Sequence, residues 1–187
     1  MIRKNLKSLF IVRNETRWNS YYDALVRVKH FLNTKRSELK LVFDEFGITF
    51  FRSVEEEFII EYVKVMQPLA QALDILQGDI NISIGFLLPT LTLLIRKMEA
   101  IKTKQGIIHC KGIVSSIIDA VKNRFASCFI DKELKVAAVL VSKFKLIWVP
   151  DSEKDALKRY IVSLYDDFKM NDVEEKCDRY VFFTRIN

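Results

Sequence analysis

Apolar residues recur along most of the chain at the three- and four-residue spacing that is typical of amphipathic α-helices. The first such stripe consists of Trp18, Tyr21, Tyr22, Leu25, Val28 and Leu32. Thr16 or Asn19 is expected to cap this helix, because short polar side chains accept hydrogen bonds from free backbone N–H groups. A second, shorter helix is predicted from Leu39, Val42, Phe43 and Phe46, and Gly47 stands where a helix stop is expected.

The longest predicted helix begins with a capping-box sequence, Ser53-Val54-Glu55-Glu56. Its serine is expected to cap the helix, and its last glutamate is expected to reach back to the serine backbone. An apolar stripe from Phe58 to Leu76 follows, and Gly78 is the predicted stop. Pro68 lies inside this helix and is expected to kink it, because proline lacks the N–H that would bond to the preceding turn.

The same spacing predicts four later helices: about Phe86 to Ile101, Val114 to Cys128, Leu134 to Val141 behind the capping residue Asp131, and one after Asp151 that reaches Phe168. Residues 103–112 are predicted to form a connection. Only residues 47–51 and 180–183 have a β-like composition, and no hairpin turn accompanies them. The pattern therefore predicts an all-α fold, a single irregular helical domain of about six to eight helices over residues 1–168. The tail, residues 169–187, has no clear periodicity, so its structure is left open.

The composition favours the same fold class. The chain has 187 residues, half of them hydrophobic, and only 5 Gly and 3 Pro, which suits long helices with few turns. An excess of 30 Lys and Arg over 24 Asp and Glu gives a net charge of +6, which is compatible with nucleic-acid binding without requiring it. Cys110, Cys128 and Cys177 form no CxxC pair, so neither a zinc site nor a disulfide framework is predicted, and a reducing compartment fits.

Several other classes of function find no support in the sequence. The most apolar stretch, Ile82 to Ile95, is shorter than the roughly 20 residues that a bilayer-spanning helix needs, so no membrane association is predicted. His30 and His109 stand apart from any ligand or nucleophile pattern and are expected to be structural. The sequence predicts no metal site, no cofactor and no small-molecule substrate.

Five segments, in order, carry a resemblance to a known family. The first, residues 16–25, reads TRWNSYYDAL and resembles the TRWNS-x-YD-x-L signature of hAT-superfamily DNA transposases, the hobo/Activator group. The second, residues 62–78, reads YVKVMQPLAQALDILQG and resembles a helix downstream in the same proteins. The other three are LLPTL at 87–91, KNRF at 122–125, and AAV at 137–139 with KFK at 143–145. The resemblance covers roughly residues 10 to 150.

The resemblance implies a partial transposase without its catalytic centre. In this family an Asp-Asp-Glu triad on a ribonuclease-H-like fold binds the catalytic metals, and an all-helical insertion lies between the second Asp and the Glu. All matched segments belong to that insertion. Both Asp residues are therefore expected to precede Met1, and the Glu to follow Asn187, so the chain is expected not to be an enzyme. Its acidic residues are expected on solvated helix faces. A nuclear location is implied by the resemblance, and a cytosolic one otherwise.

Candidate DNA-binding residues come from two sources. The resemblance implies that Arg17 and Trp18 lie near a cleaved DNA end, where the indole stacks on an unpaired base and the guanidinium pairs with phosphate. In the alternative, Trp18 is simply the first core residue of its helix. Clusters of basic residues add phosphate-binding candidates, and an ordinary solubilising surface is the alternative for them: Arg27, Lys35, Arg36, Lys143 and Lys145.

Two main functional hypotheses follow from the sequence. The first is a transposase-derived helical domain that binds transposon-end DNA and does not cut it. The second is a host-adopted helical protein–protein interaction module without a DNA role, which a large exposed apolar patch or self-association would favour. A third, a complete enzyme, would require another chain to supply both missing Asp residues.

Overall fold

A computed structural model describes residues 19–78 and 83–184, and the side chains of these residues through Lys169. The described residues form eight α-helices and no strand: α1 (Ser20–Thr34), α2 (Arg36–Glu45), α3 (Ser53–Leu76), α4 (Leu87–Thr103), α5 (Lys111–Arg124), α6 (Ala126–Ile130), α7 (Lys132–Leu140) and α8 (Asp151–Thr184). A single 3₁₀ turn, Ile84–Phe86, leads into α4. The predicted all-α class, with six to eight helices, is confirmed.

The centre of the molecule is a core between α3, α4 and α5. Val65 of α3, Leu94 and Met98 of α4 and Val114 of α5 are almost fully buried in it. These residues share one face of each helix because they recur every three or four positions, as the sequence pattern predicts.

Two smaller cores flank the central one. On one side, α1, α2 and the first half of α3 bury Phe31, Leu39 and Ile59. Three phenylalanines, Phe43, Phe50 and Phe51, pack against these residues. On the other side, the start of α4, α7, the α7–α8 connection and α8 bury a set made of Leu88, Ala138, Trp148, Val149 and Leu157. α1 packs on α3 and α2 packs on α1, whereas α7 packs on α4 and the 3₁₀ turn, so the two flanking cores are built from different helices.

Two predicted helix boundaries are confirmed by their local chemistry. Gly47 has a φ of +65°, the left-handed conformation that ends α2 and that glycine adopts without a steric penalty. Asp131 caps α7, since its carboxylate accepts from the backbone N–H of Glu133 at 2.8 Å and of Leu134 at 3.1 Å.

The predicted cap of α1 is wrong in its chemistry. Asn19 occupies the N-cap position, but its side chain makes no capping bond. Its amide instead donates to the carbonyl of Ala70 at 3.2 Å and to Asp74 Oδ1 at 2.7 Å, because α1 packs against α3 at this point. The other predicted cap, Thr16, lies outside the described residues, as do Arg17 and Trp18.

The capping box of α3 is shifted by one residue from its predicted position. Arg52, not Ser53, is the N-cap residue, and its backbone N–H donates to Glu55 Oε2 at 2.8 Å. Arginine has no acceptor atom, so only this half of the box can form. The predicted partner, Glu56, is instead held by Arg36 through two bonds of 2.6 and 2.7 Å.

The remaining differences concern helix continuity. The helix predicted from Val114 to Cys128 is divided at Phe125 into α5 and α6, because Phe125 packs on the central core. Of the two β-like runs, 47–51 belongs to the connection between α2 and α3, and 180–183 lies in α8. α8 continues without interruption past residue 169 to Thr184.

Candidate nucleic-acid interface

An apolar groove of about 410 Å³ lies against the second flanking core. It is bounded by the end of α3, the 3₁₀ turn, the first half of α4 and the α7–α8 connection. Its lining is mostly apolar and aromatic, with two cations: Ile75, Phe86, Pro89, Thr90, Thr92, Leu93, Arg96, Lys143, Phe144, Ile147 and Trp148. We call it the α4–α7 groove.

Close packing at Gly85 fixes one wall of the groove. A Cβ atom at this position would lie 2.4 Å from the carbonyl oxygen of Ala137 and 2.7 Å from Cγ2 of Val141, so only glycine lets the 3₁₀ turn approach α7 this closely. The approach brings Phe86 against Phe144, with ring centroids 4.9 Å apart and planes at 84°. Such an edge-to-face pair holds both rings in defined positions at the groove wall.

The α7–α8 connection is held by a strained turn at Lys145. This residue has a φ of +46°, a conformation that is costly for a residue with a Cβ. Its carbonyl oxygen accepts a hydrogen bond of 3.0 Å from the indole N–H of Trp148. That bond satisfies the one polar group of the nearly buried indole and holds the turn that presents Lys143 and Phe144.

Positive charge is concentrated at the groove. Arg96 of α4 donates to the backbone carbonyl of Trp148 at 3.3 Å, and the Lys143 ammonium lies 5.8 Å from the centre of the Phe144 ring. Asp151 is the nearby counter-charge. The pKa of its carboxyl is lowered mainly by its hydrogen bond to Lys154 and, to a smaller extent, by the charge of Arg96. No carboxylate is among the residues that line this groove in the described part of the chain.

The seven candidate DNA-binding residues do not form one cluster. Lys143 lines the α4–α7 groove, and Lys145 is exposed two residues further along the same connection. Arg27, Lys35 and Arg36 belong to α1, the α1–α2 junction and α2, which form the first flanking core together with α3.

The N-terminal candidates, Arg17 and Trp18, lie outside the described residues. The next residue, Asn19, is bonded to Asp74 of α3, whose neighbour Ile75 belongs to the groove wall. The point at which the described chain begins is therefore close to the groove.

Arg36 already has an anionic partner. Its guanidinium makes a bidentate pair with the Glu56 carboxylate, which raises the pKa of Arg36 further. A phosphate would have to compete with that carboxylate. Arg96, by contrast, was not among the candidates. Its only sequence signal is that it ends the apolar run of α4, and its place at the groove follows from tertiary packing.

A second cluster of polar groups surrounds Glu61. This buried carboxylate accepts from the backbone N–H of Cys110 at 2.7 Å and of Ile108 at 3.0 Å. Burial and the nearby Glu61 charge raise the pKa of the Cys110 thiol to about 11. Since the thiolate is the reactive form, Cys110 is a poor nucleophile at neutral pH. Within the described residues, no three His, Cys, Asp or Glu side chains lie close enough together to hold a metal ion.

None of the helices in residues 19–78 and 83–184 has both the length and the apolar character that crossing a bilayer requires. Comparison of the chain with protein-family models, with curated proteins and with solved structures gives no match. The resemblance to hAT transposases therefore stays a prediction from the sequence segments that carry it.

Proposed function

We propose that this chain is a helical nucleic-acid-binding module, derived from the insertion domain of a hAT transposase, that binds unpaired or frayed DNA ends at the α4–α7 groove and does not cut DNA. The observation that carries this proposal is the pairing of aromatic and cationic residues in one groove. The partly exposed rings of Phe86 and Phe144 offer apolar and π surfaces, and Arg96 and Lys143 offer positive charge beside them.

This combination suits single-stranded nucleic acid because each nucleotide has an aromatic base and an anionic phosphate. Stacking of a base on an aromatic side chain contributes about 1–3 kcal/mol, and a cation within the same site attracts the phosphate. Paired bases inside a duplex present no free π face, so an unpaired end is the expected ligand. The resemblance implies a stacking role for Trp18 as well. A nuclear location belongs to the same proposal.

The test is binding of fluorescent single-stranded, hairpin-ended and blunt duplex DNA to the purified chain, measured by anisotropy at low salt. Lys143→Ala removes one phosphate partner, and Phe144→Leu removes a π face while keeping an apolar side chain. We expect Phe144→Leu to weaken binding of single strands about tenfold, and Lys143→Ala to weaken it several-fold, about threefold or more. Trp18→Ala tests the role that the resemblance implies.

Lys104→Ala is the matched control, because it removes an exposed lysine from the α4–α5 connection, away from the groove. It is expected to change binding less than about twofold. If the groove variants bind as the control does, or if the folded chain binds no DNA at low salt, the proposal fails.

One observation favours the second candidate, a protein–protein interaction module. Several walls of the groove are exposed apolar side chains, and Ile147 is 75% exposed. Such a surface is typical of a site that receives an apolar side chain from a partner. Light scattering over a range of concentrations distinguishes this candidate: self-association that Ile147→Lys abolishes would support it, and a monomer at every concentration would remove its self-association form.

A further inference from the structure

A second apolar depression lies between the end of α2 and the start of α3. It has a volume of about 610 Å³ and is lined by Phe43, Ile48, Thr49, Phe51, Val54, Glu55, Phe58 and Ile59. The rings of Phe43 and Phe51 pack with their centroids 5.1 Å apart, and Ile59 is buried behind them. This surface, which we call the α2–α3 depression, takes no part in the function proposed above.

The rim of the α2–α3 depression is unusually exposed for apolar side chains. Ile48 is 55% exposed and Val54 is 60% exposed, and Phe58, at 38%, continues the apolar surface along α3. Gly47 produces this arrangement, since its left-handed turn directs the chain away from α2 before α3 begins. Exposed apolar area of this kind favours association, because a partner that covers it removes it from water.

The chain segment that contains the depression has a net charge opposite to that of the whole chain. Residues 36–61 contain seven carboxylates, from Asp and Glu, and three cations, Arg36, Lys40 and Arg52, so their net charge is −4 in a chain of +6. Two of these cations are already engaged by Glu56 and Glu55. The carboxylates of Asp44 and Glu45 are exposed at the end of α2.

Glu57, one residue before Phe58, lies outside this surface. It lines a separate depression together with Glu61, and His109 Nε2 lies 3.7 Å from its carboxylate.

From this combination we infer that the α2–α3 depression is a docking site for a basic amphipathic helix of a partner protein. Leucine-like side chains at positions i, i+3, i+4 and i+7 would enter between Ile48, Val54 and Phe58, which is the general mode of helix-in-groove recognition. Lysines or arginines that flank this stripe would face Asp44 and Glu45. The same acidic groups repel phosphate, so this surface is unsuited to nucleic acid.

The experiment uses three labelled synthetic peptides with the whole chain, and anisotropy as the readout. The first peptide has leucines at helical spacing and lysines elsewhere, the second replaces each lysine by glutamate, and the third scrambles the leucine and lysine order. We expect saturable binding of the first peptide at least about tenfold tighter than that of the other two, because only it combines the apolar stripe with positive charge.

Variants of exposed residues locate the site. Ile48→Lys and Val54→Lys are each expected to weaken binding of the first peptide about tenfold, because each adds a positive charge at the rim. Ile130→Lys is the matched control. Ile130 is 78% exposed on α6, outside the depression, and its change is expected to have less than about a twofold effect. Circular dichroism shows whether each variant is folded. Because two rim positions are substituted independently, the test remains valid if one of the variants does not fold.

Three results would overturn the inference: absence of saturable binding, equal binding of all three peptides, or rim variants that behave like Ile130→Lys. Self-association of the chain that Val54→Lys abolishes would also overturn it, because the occupant would then be a second copy. Lys143→Ala is expected to leave peptide binding unchanged. The peptide-binding experiment and the DNA-binding experiment therefore test the two proposals independently.

Discussion

Glu61 is the side chain that fixes the connection between α4 and α5. It is one of few buried polar residues, and its carboxylate accepts the N–H groups that the start of α5 leaves free at Ile108 and Cys110. Burial acts to raise the pKa of Glu61, but the backbone N–H groups of Ile108, Cys110 and His109 outweigh it and lower that pKa below its usual 4.5. The charged form is therefore the one that the fold prefers.

Glu61→Gln is expected to lower the free energy of unfolding at pH 7 by about 2 kcal/mol, since hydrogen bonds to a charged acceptor become bonds to a neutral one. A carboxyl whose pKa is lowered by folding contributes stability above its unfolded pKa and loses it as pH falls through its folded pKa. The difference between the two proteins should therefore shrink as pH falls below 4.5. Urea unfolding followed by circular dichroism at pH 7 and at lower pH measures it.

Glu57→Gln, one turn earlier on α3 and largely exposed, is the control and should change stability little at either pH. A loss for Glu61→Gln that does not vary with pH would mean that the side chain stabilises by packing alone.

Single-residue chemistry was the part of the structure that the sequence predicted least well. Asp131 was identified correctly because its cap uses only the residues that follow it. Asn19 was not, because its amide is bonded to α3, about fifty residues away in the chain. Glu61 and Arg96 gave no signal for the same reason, since the groups that they bond belong to distant segments.

At the scale of elements, helical periodicity predicted most of the helices. The stripes that identify α3, α4 and α7 are long or well capped, so local chemistry and core packing agree there. The break between α5 and α6 was missed because both sides of Phe125 keep helical spacing, and only the packing of Phe125 and Phe129 on the central core separates them. No capping residue or proline marks the break in the sequence.

The 3₁₀ turn before α4 supports a prediction at this scale. Gly85→Ala would place a methyl group 2.4 Å from the carbonyl oxygen of Ala137, a backbone atom that cannot move independently. We expect a loss of about 1–3 kcal/mol, which lowers the melting temperature by several degrees, about 5 °C. Binding of single-stranded DNA at the α4–α7 groove should also weaken, because Phe86, which lines the groove, follows Gly85 directly.

Gly112→Ala is the matched comparison. Gly112 lies in the first turn of α5, and no atom outside its own helical surroundings lies within 4 Å of an added Cβ. Alanine has the better helix propensity, so this change should raise the melting temperature slightly, by about 2 °C. Equal effects of the two substitutions in thermal melts would contradict the close packing at Gly85.

At the scale of the whole molecule, charge is divided between two apolar surfaces. Residues 36–61 carry −4, so the remainder of the chain carries +10. The α4–α7 groove lies in the basic part and the α2–α3 depression in the acidic part. The sequence predicted a net positive charge and two basic residues at or near the groove, Lys143 and Lys145. It did not predict the groove itself, because its walls come from four separate segments that only the fold brings together.

This division makes the salt dependence of DNA binding a measure of which cations take part. If Arg96, Lys143 and Lys145 each neutralise one phosphate of a single strand, the logarithm of affinity should fall with the logarithm of salt concentration with a slope of about −2. If Arg27, Lys35 and Arg36 each neutralise a phosphate as well, the slope should double to about −4. We expect the smaller value, since Arg36 is paired with Glu56 and the acidic α2–α3 surface adjoins these three residues.

Titrations of fluorescent single-stranded DNA over a range of salt concentrations give the slope directly. Lys143→Ala should reduce its magnitude by about 0.7, the value for one phosphate contact on a single strand, whereas Arg27→Ala should leave it unchanged. The reverse result, a slope near −4 that falls with Arg27→Ala, would place the nucleic acid on α1 and α2. In that case the α4–α7 groove would have to be assigned to a protein partner, because its apolar walls would then have no role in DNA binding.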